Sequence, residues 1–209
     1  MTLLKICGMR SEMDLTACRE ADYHGFILSS DSPRCLSVAN AVRLVKRSGA
    51  KRVLVTTEAN LSRVEALVKD LRPDVLQLHS RMPGWEVQEA RSLVPEVWAL
   101  VSMGRGGEQV RLDDLKGRCD GVVLDTASVR GGGSGSVHDW SASAHVRGTF
   151  PGKIILAGGI GAENIADAVR TVRPHIIDVS SGIEREGGKG RHLFEELKAN
   201  LKRVDDEQR

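Results

Sequence analysis

Leu3-Leu4-Lys5-Ile6-Cys7-Gly8-Met9 reads as a buried strand that ends on a thiol beside a glycine. In an extended strand alternate side chains share a face, so Lys5 and Cys7 point one way and Leu4 and Ile6 the other. With Leu4 and Ile6 packed under helices, Lys5 and Cys7 face the interior of whatever the strand helps to build. A buried ammonium needs a partner, and a thiol near a cation becomes more acidic and a better base. Taken alone, Cys7 reads first as a small core residue, as most buried cysteines are. The rest of the chain bears on that choice.

The same kind of run recurs along the sequence. Short β-branched or leucine-rich stretches end near Cys7, Leu28, Thr56, Leu78, Val101, Leu124, Leu156 and Val179, at intervals of 21 to 32 residues. Each interval holds one strand, one helix and two loops. Uninterrupted apolar runs such as Val53-Leu54-Val55, Val122-Val123-Leu124 and Ile154-Ile155-Leu156 fit parallel strands covered on both faces. Eight such units predict an α/β fold, a compact (β/α)8 TIM barrel spanning 1–209 as one domain; an open doubly wound sheet is the alternative. Outer helices are expected over 37–46, with Val38, Ala41, Val42 and Val45 on one face, and over 61–71, with Leu61, Val64, Leu67, Val68 and Leu71. Pro73 and Pro174 stop helices. Phe194, Leu197 and Leu201 mark the last helix, and residues 205–209 are expected to fray. The glycine-bearing unit 104–117 is left between a short helix and a loop.

Composition narrows the function. Thirty basic residues face 28 acidic ones for a net charge of +2, aromatics are 3 %, and no basic face stands out, so nucleic acid is not an expected partner. The longest apolar runs are far too short for a membrane span and the N-terminus has no secretory core, which leads to the expectation of a cytoplasmic protein. Cys7, Cys18, Cys35 and Cys119 form no CxxC pair and read as reduced thiols. No metal-ligand spacing occurs, and neither a metal nor a cofactor is expected. Monomer and homodimer are both compatible with the sequence.

In a (β/α)8 barrel the chemistry lies at the C-terminal strand ends. There the chain offers Cys7 on the first strand, Gln77 and His79 on the fourth, Asp125 on the sixth, and Asp178, Ser180 and Ser181 on the eighth. The first and sixth strands are not neighbours, so Cys7 and Asp125 approach a bound molecule from different sides, as a base and an acid should. Gly158-Gly159, followed by Gly161, and Ser180-Ser181-Gly182 let backbone N–H groups approach an anion, although either run alone also serves as a plain turn. Together on the last two strands they point to phosphate, with 183–186 as a possible short extra helix. The glycine-rich stretch 130–136 is either a connector or a lid. Arg34 is either a carboxylate grip or a solvated loop arginine. His79 is left between a ligand site and the core.

Taken together these residues resemble phosphoribosylanthranilate isomerase, a (β/α)8-barrel enzyme of tryptophan biosynthesis. The resemblance spans almost the whole chain. It rests on Lys5-Ile6-Cys7-Gly8, Ser32-Pro33-Arg34, Val75-Leu76-Gln77-Leu78-His79, Leu124-Asp125-Thr126 with Gly132-Gly133-Ser134-Gly135 and Asp139-Trp140, Ala157-Gly158-Gly159-Ile160 with Glu163-Asn164, and Asp178-Val179-Ser180-Ser181-Gly182-Ile183-Glu184. It implies an Amadori rearrangement of a phosphorylated sugar-anthranilate substrate, with Asp125 as general acid, Cys7 as base, Arg34 on the anthranilate carboxylate and the two loops on the phosphate. Gln77, His79 and Asp178, placed at strand ends by the residue pattern, are expected to contact the substrate. The chain departs from the family in reading Gly-Ser-Gly-Ser at 133–136, where Gly-Thr-Gly-Lys is usual, in Ser80 where glycine is usual, and in Gly187-Gly188-Lys189-Gly190, which lacks the acidic residue that often follows the family's lysine.

Alternation further predicts an interior ion pair between Lys5 and Asp178, on the neighbouring first and last strands, that keeps positive charge near Cys7 and favours the thiolate. Two other readings stand beside the isomerase: an enzyme of the same reaction class acting on the aminoaldose phosphate of histidine biosynthesis or on both substrates, and a phosphate-ligand barrel without catalysis.

Overall fold

The structure, a computed structural model, describes residues 1–104, 106, 108–126, 137–185 and 188–208. The glycine-rich stretch 130–136 lies outside the described residues. Eight parallel strands close into a barrel in chain order: β1 (Leu3–Cys7), β2 (Tyr23–Leu28), β3 (Lys51–Thr56), β4 (Val75–Leu78), β5 (Glu96–Met103), β6 (Gly121–Thr126), β7 (Lys153–Leu156) and β8 (Ile176–Val179). Between them run α1 (Glu12–Ala17), α2 (Val38–Val45), α3 (Leu61–Leu71), α4 (Gly84–Ala90), α5 (Glu108–Leu115), α6 (Trp140–Thr149), α7 (Ile165–Val172) and, after β8, α8 (Arg191–Glu207). Closure occurs at β1, where Lys5 registers with Tyr23 on one side and Asp178 on the other.

Alternation along the strands sorts the apolar residues into two cores. Leu4, Ile6, Leu54, Leu76 and Leu124 face the helices, while Cys7, Tyr23, Val53, Trp98, Val123 and Ile155 fill the barrel. The N-terminal end of the barrel is plugged. The Tyr23 and Trp98 rings meet edge to face at 5.3 Å, Trp98 Nε1 donates to Glu96, and Lys153 reaches the same carboxylate at 2.7 Å. That end serves stability and leaves the C-terminal end open for chemistry.

Local signals set the helix limits. Ser11 and Asp14 form a capping box at the start of α1. Arg72 and Arg173 both adopt left-handed conformations immediately before Pro73 and Pro174, ending α3 and α7.

Four details differ from, or settle, the sequence reading. Helix α2 buries Ala41, Leu44 and Val45, while Val38 is 37 % exposed and Val42 half-buried, so the packed face is rotated from the expected one. The unit after β5 is helical, with Leu112 and Leu115 buried. The short helix expected over 183–186 gives way to a strand, although residue 186 itself lies outside the described residues: β9 (Glu184–Arg185) pairs antiparallel with β10 (Gly188–Lys189). The cause is that Lys189 N donates to Asp14 of α1 and Gly190 N to Ile183 O, which draws the backbone away from a helical ladder. The stretch expected to fray includes the last turn of the final helix. Helix α8 runs to Glu207, and buried Asp205 accepts from the N–H and hydroxyl of Thr2 at 2.8 and 3.0 Å. Among the described residues no helix is long and apolar enough to cross a membrane.

Candidate active site

Lys5 and Asp178 meet inside the barrel, Nζ to Oδ2 at 2.6 Å, with the ammonium fully buried. Cys7 is the next inward residue on β1. Its room comes from β2, where Gly25 stands opposite: a Cβ there would lie 3.1 Å from Cys7 Sγ and 3.3 Å from Lys5 Nζ. Burial works against the Lys5 ammonium, but Asp178 and Cys7 more than offset it and its pKa is raised. Burial pushes the Cys7 thiol up, while Lys5 and Lys189 pull it down and Asp178 pushes it further up. The ion pair is thus where the sequence placed it, and Lys5 favours the thiolate, but burial wins and the resting group is a thiol.

Asp125 sits at the end of β6. His79 Nε2 lies 3.5 Å from its Oδ2, and Gln77 Nε2 lies 3.4 Å from His79 Nδ1. Burial raises the Asp125 pKa, with His79 opposing and Asp178 adding to the rise. Burial likewise lowers His79, against the pull of Asp125. Gly158, at φ +88°, is required behind this carboxylate, since a Cβ would lie 2.3 Å from Thr126 Oγ1 and 2.7 Å from Asp125 Oδ1. A buried polar chain anchors the strand end: Thr126 Oγ1 contacts His138 Nδ1 at 3.0 Å and His138 Nε2 contacts Ser143 Oγ at 2.6 Å. Two buried acceptors, Gln77 Oε1 and Asp178 Oδ1, find no partner among the described residues.

Arg34 reaches across from the loop after β2. Gly8, at φ +78°, makes way for it, because a Cβ would lie 2.6 Å from Arg34 Cδ. Glu184 takes Arg34 Nε at 2.8 Å and Nη2 at 2.6 Å, and Lys189 adds a bond to Glu184 at 2.9 Å and one to Ser180 O at 3.0 Å. Held by the two cations, Glu184 has its pKa lowered to about 2 despite burial. In the anion loops Gly158 and Gly159 have positive φ, and among the described residues their N–H groups donate to no protein acceptor. Asn164 braces this loop by accepting from Gly161 N and donating to Gly159 O, both at 2.9 Å. Ser180 Oγ donates to Cys7 O at 3.2 Å, which ties the last loop to the first strand.

The arrangement combines a buried thiol, a carboxyl group whose pKa is raised by burial, and glycine loops with open N–H groups. It can move protons on a small anionic molecule. A surface cavity of about 590 Å³ lies elsewhere, between α1 and the start of α8 against Met13 and Arg191, and has no such pair. Sequence reasoning missed Gly25 and the His138–Ser143 chain, and it noted Lys189 only as part of a departure from the family, without a role. For Gly25 a signal existed, since a glycine in a β-rich run marks a close approach. Lys189 was framed by glycines at 187, 188 and 190 but had no visible partner.

Comparison with known proteins gives one answer. The family model for N-(5'-phosphoribosyl)anthranilate (PRA) isomerase matches residues 4–199. An N-(5'-phosphoribosyl)anthranilate isomerase from Methanocella arvoryzae is 35 % identical over 196 residues, covering 90 % of this chain and 92 % of that protein. The crystal structure of phosphoribosyl anthranilate isomerase from Thermotoga maritima superposes with a TM-score of 0.87 at 28 % identity, over 97 % of this chain and 99 % of that one. A phosphoribosyl anthranilate isomerase in complex with reduced 1-(o-carboxyphenylamino)-1-deoxyribulose 5-phosphate superposes at 0.82 with 26 % identity, over 97 % and 99 %.

Proposed function

The chain belongs to the N-(5'-phosphoribosyl)anthranilate isomerase family, and we propose that Asp125 and Cys7 are its acid and base. It is an isomerase of tryptophan biosynthesis that converts N-(5'-phosphoribosyl)anthranilate to 1-(2-carboxyphenylamino)-1-deoxyribulose 5-phosphate. The observation that carries the assignment of roles is electrostatic. Asp125 is a half-buried carboxyl group with a raised pKa at the mouth of a barrel whose first strand ends on a thiol.

Asp125 gives its proton to the furanose ring oxygen while the anthranilate nitrogen pushes its lone pair toward C1. The C1–O bond breaks and a protonated Schiff base forms. Cys7, as thiolate, removes the C2 proton; the C–H pair forms the C1=C2 bond as the C=N pair returns to nitrogen, giving an enolamine. That species takes a proton at C1 and loses the one on the C2 hydroxyl, leaving the ketone. The thiolate is a minority form here, stabilised by Lys5 and opposed by burial. The cationic Schiff base makes the C2 proton acidic enough for such a base.

Arg34 binds the anthranilate carboxylate, and the loops at Gly158-Gly159 and Ser180-Ser181 bind the phosphate. Gln77 Oε1 and Asp178 Oδ1, the unpartnered buried acceptors, receive donors from the sugar or the bridging nitrogen, and His79 holds Asp125 in place. The steps call on no cofactor or metal. The four free thiols fit a cytoplasmic enzyme.

Freshly generated phosphoribosylanthranilate mixed with the protein, with no metal or cofactor added, should lose its anthranilate-type fluorescence rapidly. No loss, on substrate that a known isomerase consumes, would overturn the reading.

A further inference from the structure

Arg34 is held by the protein at two of its side-chain nitrogens. A guanidinium has five N–H donors in one plane, arranged along a side edge (Nε and Nη2) and an end edge (Nη2 and Nη1). Glu184 occupies the side edge, with bonds of 2.8 and 2.6 Å. The end edge stays open: among the described residues Nη1 takes no partner. One carboxylate therefore fixes the plane and direction of the fork, and a second can chelate the other edge.

An anion placed this way would normally cancel the charge that it positions. Here a third group prevents that. Lys189, with a side chain only 1 % exposed, bonds the same Glu184 carboxylate at 2.9 Å, so the three groups carry a net charge of one positive unit. Lys189 also holds Ser180 O at 3.0 Å and, through its own N–H, Asp14 Oδ1 at 2.9 Å. Asp14 in turn caps the helix that follows Cys7. The cluster thus joins the loop after β2, the first helix and the β9–β10 pair around one entrance.

We infer that Glu184 is a positioning residue that presents the end edge of Arg34 to the anthranilate carboxylate, and that Lys189 keeps this receptor cationic while tying it to the Ser180 loop. The inference rests on the proposed role of Arg34 and goes beyond it in naming what aims that arginine. It accounts for a buried lysine and a half-buried glutamate that the acid and base steps do not use.

The test separates aiming from general support. Binding is measured by calorimetry for two probes, reduced 1-(2-carboxyphenylamino)-1-deoxyribulose 5-phosphate and the same molecule without the carboxyl group. The wild type should prefer the carboxylated probe by roughly 10- to 100-fold, the usual worth of a charge-assisted bidentate contact. Arg34→Ala should bring the ratio to about one. Glu184→Ala and the better-tolerated Glu184→Gln should each reduce the ratio about tenfold or more while the probe without the carboxyl group binds within threefold of wild type. Lys189→Met should reduce the ratio and also weaken the probe without the carboxyl group, because Ser180 is released. If Arg34→Ala abolishes the preference but both Glu184 variants keep it, the inference is overturned and the Arg34 assignment stands. If Arg34→Ala keeps the preference, the Arg34 assignment fails and the inference fails with it. Equal weakening of both probes by the Glu184 variants also overturns it, since that is what a structural support would do.

Discussion

Lys5 donates to Asp178 across 2.6 Å, so the seam where β1 meets β8 and closes the barrel is also the charged floor of the site. Burial is the largest influence on both Cys7 and Asp125, and both also feel this pair: Lys5 pulls the thiol and the carboxyl group down while Asp178 pushes both up. Closure of the fold and tuning of the chemistry are therefore one structural feature.

Replacing Lys5 with Met leaves Asp178 buried and unpaired, which should cost about 3–5 kcal/mol of stability. The double variant Lys5→Met with Asp178→Leu should recover most of that loss, since it removes the orphaned charge. Urea unfolding of the three proteins checks both statements. The same Lys5→Met substitution should move the Cys7 thiol further up. Alkylation rate against pH, in a Cys35→Ser background because Cys35 is half-buried, measures this; an unchanged profile would remove Lys5 from the tuning of Cys7.

Glu184 contributes stability that depends on pH in a defined direction. Its folded pKa, about 2, is depressed below the unfolded value of 4.5, so the contribution is present above pH 4.5 and is lost as pH falls toward 2. Glu184→Gln should cost on the order of 2–3 kcal/mol at pH 7, and the gap between variant and wild type should narrow steadily below pH 4.5. Denaturant unfolding at pH 7, 4 and 3 tests it. A gap that does not narrow would mean that the carboxylate charge is not what Arg34 and Lys189 require.

Part of this was legible in the sequence, and the rest was hidden for physical reasons. Strand alternation places Lys5, Cys7, Asp125 and Asp178 inward, and a buried ammonium needs a carboxylate, so the residue pattern alone names the central pair. The Arg34–Glu184–Lys189 cluster escapes that logic, because its members are brought together only when the loop after β2 folds across the β9–β10 pair. Periodicity says nothing about such loop contacts. The 183–186 segment carries no hydrophobic pattern that would distinguish a helical turn from a strand, and Asp14, far away in sequence, decides it. The packed face of α2 departs from the periodic reading because its apolar residues extend around more of the helix than it buries, and Leu44 replaces Val38 in the core.

Gly25→Ala isolates space from backbone strain, as Gly25 does not have a positive φ. The added methyl would press on Cys7 Sγ and Lys5 Nζ at 3.1 and 3.3 Å. We expect a stability loss of about 1–3 kcal/mol together with a large fall in kcat. Thermal unfolding and turnover of the same sample give both numbers. Full activity would show that the thiol has room to spare.

Gly158→Ala should be worse, because it combines a positive φ with a Cβ 2.6 Å from Thr126 N. Strain and collision together should cost more than about 3 kcal/mol and displace the Asp125 carboxylate. Thermal unfolding measures the first effect, and the fluorescence assay on refolded protein the second. A stable, active Gly158→Ala protein would contradict the close packing of the β6 and β7 strand ends.

The central claim is that Asp125 and Cys7 serve one rearrangement as acid and base. The most direct measurement compares kcat/KM for phosphoribosylanthranilate in wild type, Cys7→Ala, Asp125→Asn and the double variant, each shown by circular dichroism to be folded. The account predicts that either single change costs roughly 100- to 10,000-fold and that the double change costs little more than the worse single one. A folded single variant that keeps more than about a tenth of wild-type kcat/KM would contradict it, since general acid or base catalysis is worth far more than that.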